Sequence, residues 1–256
     1  MWDERVPIHM ESAFYDVPGF KAGRSTLQPF EVEELGPVVN RELVHLQCHI
    51  GLDTLSWARL GARVTGLDFS PAATGAANEL AREMGYPADF VCADVYEAPA
   101  ALNRTFDVVY TGIGALIWLQ DIRRWAGVVS ALLRPGGHLY LVECHPLTDV
   151  FASETLAVEH DYFHDPEGTV WDAPGTYADP NAATQANRSI EFRHPIADVL
   201  SALLAEGLEL ELFHEHAHTA FARWPFLVKA PDGTYRMPEG SPKLPLLYSL
   251  RARKRA

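Results

Sequence analysis

A carboxylate, Asp68, closes a predicted strand that follows an unusual turn, Gln47-Cys48-His49-Ile50-Gly51. Leu43 to Leu46 is an apolar run of strand type that stops at this turn. Just past Gly51, the residues Leu52, Leu55, Trp57, Ala58 and Leu60 supply the apolar content of a buried helix. Ala62 to Leu67 then reads as a second strand, with Asp68 at its end. In such a strand–turn–helix–strand unit the turn and helix N-terminus approach the charged end of a ligand. The terminal carboxylate accepts hydrogen bonds from both hydroxyls of a ribose. An adenosine-containing cofactor suits this arrangement.

The turn does not carry G-x-G-x-x-G: only Gly51 survives, and Gln47 and His49 stand where glycine is usual. Those glycines let a pyrophosphate approach the backbone closely, so a cofactor without phosphates fits better. Over residues 43–70 the chain closely resembles the class I S-adenosylmethionine-dependent methyltransferases. The likeness is greatest to a bacterial subgroup whose first motif reads His-Leu-Gln-Cys-His, and it extends more loosely from about Ser12 to the C-terminus. It implies an α/β fold: a doubly wound, mostly parallel, seven-stranded sheet with an antiparallel last strand and inserted cap segments. It implies S-adenosyl-L-methionine as cofactor, with Gln47, Cys48, His49 and Gly51 around it and Asp68, Phe69 and Ser70 on the ribose side. An ordinary strand–helix corner without a ligand is the plainer alternative.

Further along, Asp94-Val95 follows the third predicted strand, where the resemblance puts a carboxylate on the adenine amino group and an amide on the ring. Asp is also a common helix cap, and both roles can coexist. Thr111-Gly112-Ile113-Gly114-Ala115 follows the fourth strand, and its glycines allow backbone to approach a ligand or simply shape a loop. Asn/Asp-Pro-Pro-Tyr is absent there, which argues against amino groups embedded in macromolecules. In the N-terminal segment, Tyr15 and Arg24 are candidates for the methionine end, with Arg24 suited to a carboxylate. Packing of N-terminal helices is the other reading of both.

Methyl transfer is an in-line displacement at a sulfonium carbon, so the protein must align the nucleophile and exclude water. A base is needed only for an acceptor that is protonated at neutral pH. His145, at the end of the fifth strand beside Glu143, is the first candidate base, or else a satisfied polar residue at a strand end. His214, His216 and His218 share one face if extended. No partner cysteine or acidic triad accompanies them, so a metal is disfavoured.

The elements that must position these groups alternate from Leu43 to Cys144. Ala72 to Met84 has helical spacing with Gly85 as a stop, Ala88 to Cys92 and Phe106 to Tyr110 read as strands, and Ile122 to Leu133 as a helix ending at Arg134-Pro135-Gly136-Gly137. His138 to Cys144 is the fifth strand. Pro195 to Leu204 reads as a helix, with Leu208 to His218 and Leu244 to Ala252 as late strands. The resemblance implies that residues 1–40 fold over the cofactor as a lid, and the irregular stretches 146–192 and 219–243, rich in aromatics, are expected to shape the acceptor pocket.

The 256 residues suit one α/β domain, and the net charge of −13 disfavours nucleic acid and anionic membrane. The basic run Arg251 to Arg255 is expected to be a solvated terminus. Three cysteines, Cys48, Cys92 and Cys144, read as buried reduced thiols, and the charged start Met1-Trp2-Asp3-Glu4-Arg5 lacks the pattern of a signal peptide. The expectation is a cytoplasmic enzyme moving a methyl group to oxygen or nitrogen of a small organic molecule. A nicotinamide-dependent oxidoreductase, or a non-catalytic protein binding S-adenosylmethionine, are the alternatives.

Overall fold

In the computed structural model, which describes residues 1–255, three helices precede the first strand: α1 (Trp2–Glu11), α2 (Val17–Lys21) and α3 (Pro29–Leu35). Leu43 to Leu46 are all buried because their strand, β1 (Glu42–Leu46), lies mid-sheet with both faces covered. A fully covered parallel strand reads as a continuous apolar run. The sheet continues with β2 (Arg63–Asp68), β3 (Ala88–Cys92), β4 (Phe106–Thr111), β5 (Leu133–Cys144), β6 (Leu208–His216) and β7 (Leu247–Lys254). Their order is β3-β2-β1-β4-β5-β7-β6, with β1 to β5 parallel and β7 antiparallel to both its neighbours. This is the expected Rossmann-like methyltransferase sheet. The chain winds outward in opposite directions from β1 and β4, so a crevice opens at their C-terminal ends.

Five more helices cover the faces: α4 (Leu52–Arg59), α5 (Pro71–Met84), α6 (Ala98–Leu102), α7 (Ile122–Leu132) and α8 (Ile196–Ala205). Trp125 and Val129 of α7 pack with Val44, Leu46, Val109 and Leu141 on one face. On the other, Trp57 of α4 and Leu35 of α3 meet Leu43, Val108, Tyr110 and Tyr140. Helix α5 starts sharply because Ser70 accepts from Ala73 N at 3.1 Å and Pro71 follows, and it stops at Gly85 with φ 72°.

Several expectations need correction. Strand β5 starts at Leu133, so Arg134-Pro135-Gly136-Gly137 lies inside it; a register shift against β4 near Phe106 accommodates the proline. The basic run belongs largely to β7, where Arg251 pairs with Glu211 at 3.1 Å, and Arg255, just beyond the strand, pairs with Glu209 at 2.7 Å. Cys92 is exposed, because β3 is an edge strand, while Cys48 is buried. Residues 146–192 carry a hairpin of Thr169–Asp172 with Arg188–Glu191, and the later irregular stretch a small three-stranded sheet beside Trp224 and Leu227.

Candidate functional site

The turn after β1 adopts left-handed backbone at Gln47 (φ 57°), His49 (φ 49°) and Gly51 (φ 78°). The two non-glycine residues thus keep the shape that glycines would favour, each at an expense of about 1 kcal/mol or more. Asp68 braces this shape from β2: its Oδ2 accepts from His49 N at 2.8 Å and its Oδ1 from Ser70 N at 2.9 Å. Burial raises the Asp68 pKa, and the two backbone donors oppose that rise. Beneath the turn, Phe90 packs so closely on Gly51 and Gly66 that a Cβ at either would meet its ring at 2.6 Å or less.

Helix α1 lies against the turn. His9 Nδ1 is 2.8 Å from His49 Nε2, and Trp2 is edge-on to Trp118 (5.1 Å) and to His49 (5.8 Å). The hydroxyls of Tyr15 and Tyr177 bond to one another. Asp3 accepts from the Ser70 hydroxyl, and Glu4 accepts from Gln185 N (2.8 Å) and Ala186 N (2.9 Å). One aromatic cluster therefore joins the N-terminal helix, the turn and the stretch 146–192. Burial holds both imidazoles neutral at pH 7, His9 with a pKa of about 4 and His49 of about 3.

On the β4 side, Gly112 leaves a gap toward which three groups converge. A Cβ there would stand 3.3 Å from Asp53 Oδ2 and 3.4 Å from both His45 Nε2 and the Tyr110 hydroxyl. Tyr110 donates to Glu31 Oε1 at 2.7 Å, and burial followed by the charge of Asp53 pushes the Glu31 carboxyl up to about 8. The loop beyond is braced by Glu143 on β5, whose carboxylate accepts from Gly114 N, Leu116 N and Cys144 N at 2.6–2.8 Å. Around these strand ends, Gln47 Oε1, Thr111 Oγ1 and His9 Nε2 are buried without a hydrogen-bond partner. Buried polar atoms are normally satisfied, so orphans in a crevice fit a polar ligand between them.

Gln47, Cys48, His49, Gly51, Asp68 and Thr111 thus gather at one edge of the sheet, with Tyr15 packed on His49. Ser70 spends its hydroxyl on the α5 cap and on Asp3. Phe69 is 57% exposed beside them. Asp94 is exposed and caps the next turn by accepting from Tyr96 N, while Val95 is buried. Arg24 is drawn aside on the surface, bonded to Asp16 and to the Tyr15 carbonyl. His145 has both ring nitrogens engaged: Nδ1 accepts from Leu147 N at 3.1 Å and Nε2 faces Glu215 at 2.9 Å. As it stands, no lone pair is left for a substrate proton. His214 pairs with Glu34 and His216 with Ser249, and their rings line one face of β6. A shallow depression of about 640 Å³ lies at the opposite end of the sheet, lined by Glu42, Arg63, Asn78 and Arg104.

Reading the sequence alone missed Trp2, Arg5, Glu31 and Asp53, and saw Glu143 only as a neighbour of His145. For Glu143 the available signal was an acid directly after the apolar run Leu139 to Val142. A carboxylate ending such a strand must find donors.

Residues 44–137 match the family model of a methyltransferase domain. The ubiquinone biosynthesis O-methyltransferase of Methylobacterium sp. (strain 4-46) is 28% identical over 170 residues, covering 66% of this chain and 68% of that protein. Its counterpart in Xanthomonas axonopodis pv. citri is 29% identical over 164 residues, covering 62% and 68%. Among solved structures, an S-adenosylmethionine-dependent methyltransferase from Mesorhizobium loti superposes with a TM-score of 0.64 at 19% identity, covering 91% of this chain and all of that one. The CcbJ methyltransferase from Streptomyces caelestis does so with a TM-score of 0.64 at 17% identity, covering 99% and 97%.

Proposed function

We propose that this chain, a methyltransferase that uses S-adenosylmethionine, methylates an oxygen or nitrogen atom of a small organic molecule held beneath its aromatic cap. The carrying observation is the pairing of Asp68 with the left-handed turn at one crevice, ringed by orphaned buried polar atoms. The relatives named as ubiquinone biosynthesis O-methyltransferases support oxygen as the acceptor atom.

When bound, the cofactor supplies a methyl group on a sulfonium carbon. Asp68 retains lone pairs beyond its two backbone bonds and is placed to accept from the ribose hydroxyls. Gln47, Cys48, His49 and Gly51 shape the backbone that would follow the methionine end, and Asp94 and Val95 flank the adenine side. Phe69 and Ser70 border the ribose, Thr111 the β4 edge, and Tyr15 closes the top; Arg24 contributes only if it leaves Asp16. Trp2, Trp118 and Tyr177 exclude water, which keeps the acceptor aligned for displacement.

An O–H or N–H acceptor must also shed a proton. With the His9 Nδ1 proton donated to His49, His9 Nε2 presents an unpaired lone pair inside the cluster. We assign the proton to that atom. In this reading residues 1–40 are a lid, and 146–192 with 219–243 wall the acceptor pocket. Among the described residues no helix is long and apolar enough to cross a membrane. The free cysteines suit the cytoplasm.

Calorimetric titration with S-adenosylmethionine, S-adenosylhomocysteine and NADH, on wild type and Asp68→Ala, tests the site. The first two should bind, and the substitution should weaken them at least about 100-fold, as loss of a charged acceptor for two hydroxyls demands. Binding of NADH alone would instead favour an oxidoreductase.

A further inference from the structure

Arg5 of α1 is buried, at 8% exposed, with no hydrogen-bond or ion-pair partner for its side chain among the described residues. Its only close companion of note is the Trp2 ring, 5.5 Å away. Glu4, the preceding residue, is committed to the backbone amides of Gln185 and Ala186. Burial pushes the Arg5 pKa down, against the nearby carboxylates of Glu4 and Glu191. Only Nε is fully enclosed; neither Nη bonds to protein among the described residues, so the fork is desolvated on one side and open on the other to an anion. Its planar fork is the geometry that grips a carboxylate.

We infer that Arg5 is an anion receptor that takes the carboxylate of a ligand bound beneath the aromatic cluster. The Trp2 ring beside Arg5 also lies 6.4 Å from Tyr177, which belongs to the stretch 146–192. That places the anion on the acceptor side, so the acceptor is an organic acid. This deepens the proposed methyl transfer and rests on it. The same chemistry has a second source, the carboxylate of the cofactor's methionine end.

Titration of wild type and Arg5→Gln separates the two. One arm compares S-adenosylhomocysteine with 5′-deoxy-5′-methylthioadenosine, which lacks the amino-acid end. The other, at saturating S-adenosylhomocysteine, compares ring-hydroxylated benzoates with the matching phenols. An acceptor site predicts that wild type prefers a benzoate to its phenol by at least about tenfold, and that Arg5→Gln erases the preference. A tenfold loss for S-adenosylhomocysteine alone, with the truncated nucleoside unchanged, supports the receptor with the cofactor as its source. Unchanged binding in both arms overturns it.

Melting of ligand-free Arg5→Met gives an independent readout. A buried cation awaiting an anion predicts an equal or higher Tm than wild type. A lower Tm would make Arg5 a structural residue and overturn the inference. Wild type that fails to bind S-adenosylhomocysteine would sink the methyl-transfer reading, and the ligand-free melt would still decide Arg5.

Discussion

His9 Nδ1 stands 2.8 Å from His49 Nε2, and through this bond helix α1 rests on the turn that follows β1. Burial pushes both imidazoles down, with Arg5 adding to the effect on His9 and His9 to that on His49. An imidazole in the unfolded chain protonates near pH 6.5, well above the folded values of about 4 and 3. Between these limits the open chain binds more protons than the closed one. The contact is therefore fully stable above about pH 6.5 and lost as pH falls toward 4. Thermal melts from pH 8 to 5 should show Tm falling on the acid side, and His9→Phe should flatten that slope. A wild-type Tm indifferent to acidification would remove this contact from the account.

Gly51 meets two separate demands. Its φ of 78° suits glycine, and a Cβ there would lie 2.6 Å from Phe90 Cε1 and 2.9 Å from Ala77 Cβ. Gly51→Ala should therefore lose about 2–4 kcal/mol, combining backbone strain with overpacking. In a chain of this size that lowers Tm by roughly 5–15 °C. Adding Phe90→Leu should recover the packing share and leave the backbone share. Equal Tm values for Gly51→Ala and the double variant would show that the Phe90 ring yields freely.

Much of this frame was legible in the chain because local physics encodes it. The apolar run at Leu43 to Leu46 marks a strand covered on both faces, and the helical spacing from Ala72 with its stop at Gly85 marks α5. Asp68 could be placed because its position at a strand end is itself the signal. The cap was less legible, since its bonds join residues far apart: Tyr15 with Tyr177, Glu4 with Gln185, Glu34 with His214. No local period reports such pairings. Arg24 illustrates the limit: its charge suited a carboxylate, and it satisfies Asp16 eight residues away, while Arg5 stays unpaired.

Glu31 sets an alkaline limit. Its carboxyl titrates at about 8 in the fold and near 4.5 in the unfolded chain, because burial and then Asp53 disfavour the charge. Across that window the native state holds the extra proton. Stability is thus fully present below about pH 4.5 and declines as pH rises toward 8. Glu31→Gln keeps an acceptor for Tyr110 and cannot ionise, so its Tm should change less between pH 6 and 9 than that of wild type. A steeper loss in the variant would mean that the charged carboxylate is the stabilising form.

His145 and His9 make opposite predictions for catalysis. With Nδ1 accepting from Leu147 N, the neutral His145 ring donates from Nε2 to Glu215. His145→Asn keeps a side-chain acceptor for Leu147 N, a capping role that asparagine fills well. Its kcat should stay within about threefold of wild type, with the pH profile unmoved. His9→Gln keeps a polar side chain against His49 and removes the proposed proton acceptor. Its kcat should fall about 10²–10⁴-fold, the usual contribution of a positioned base, and the acid limb of the pH–rate profile should vanish. S-adenosylhomocysteine affinity, measured on both, tells a lost base from a disturbed lid: a base leaves that affinity intact. A hundredfold loss confined to His145→Asn would return the role of base to the end of β5 and leave His9 as a lid contact alone.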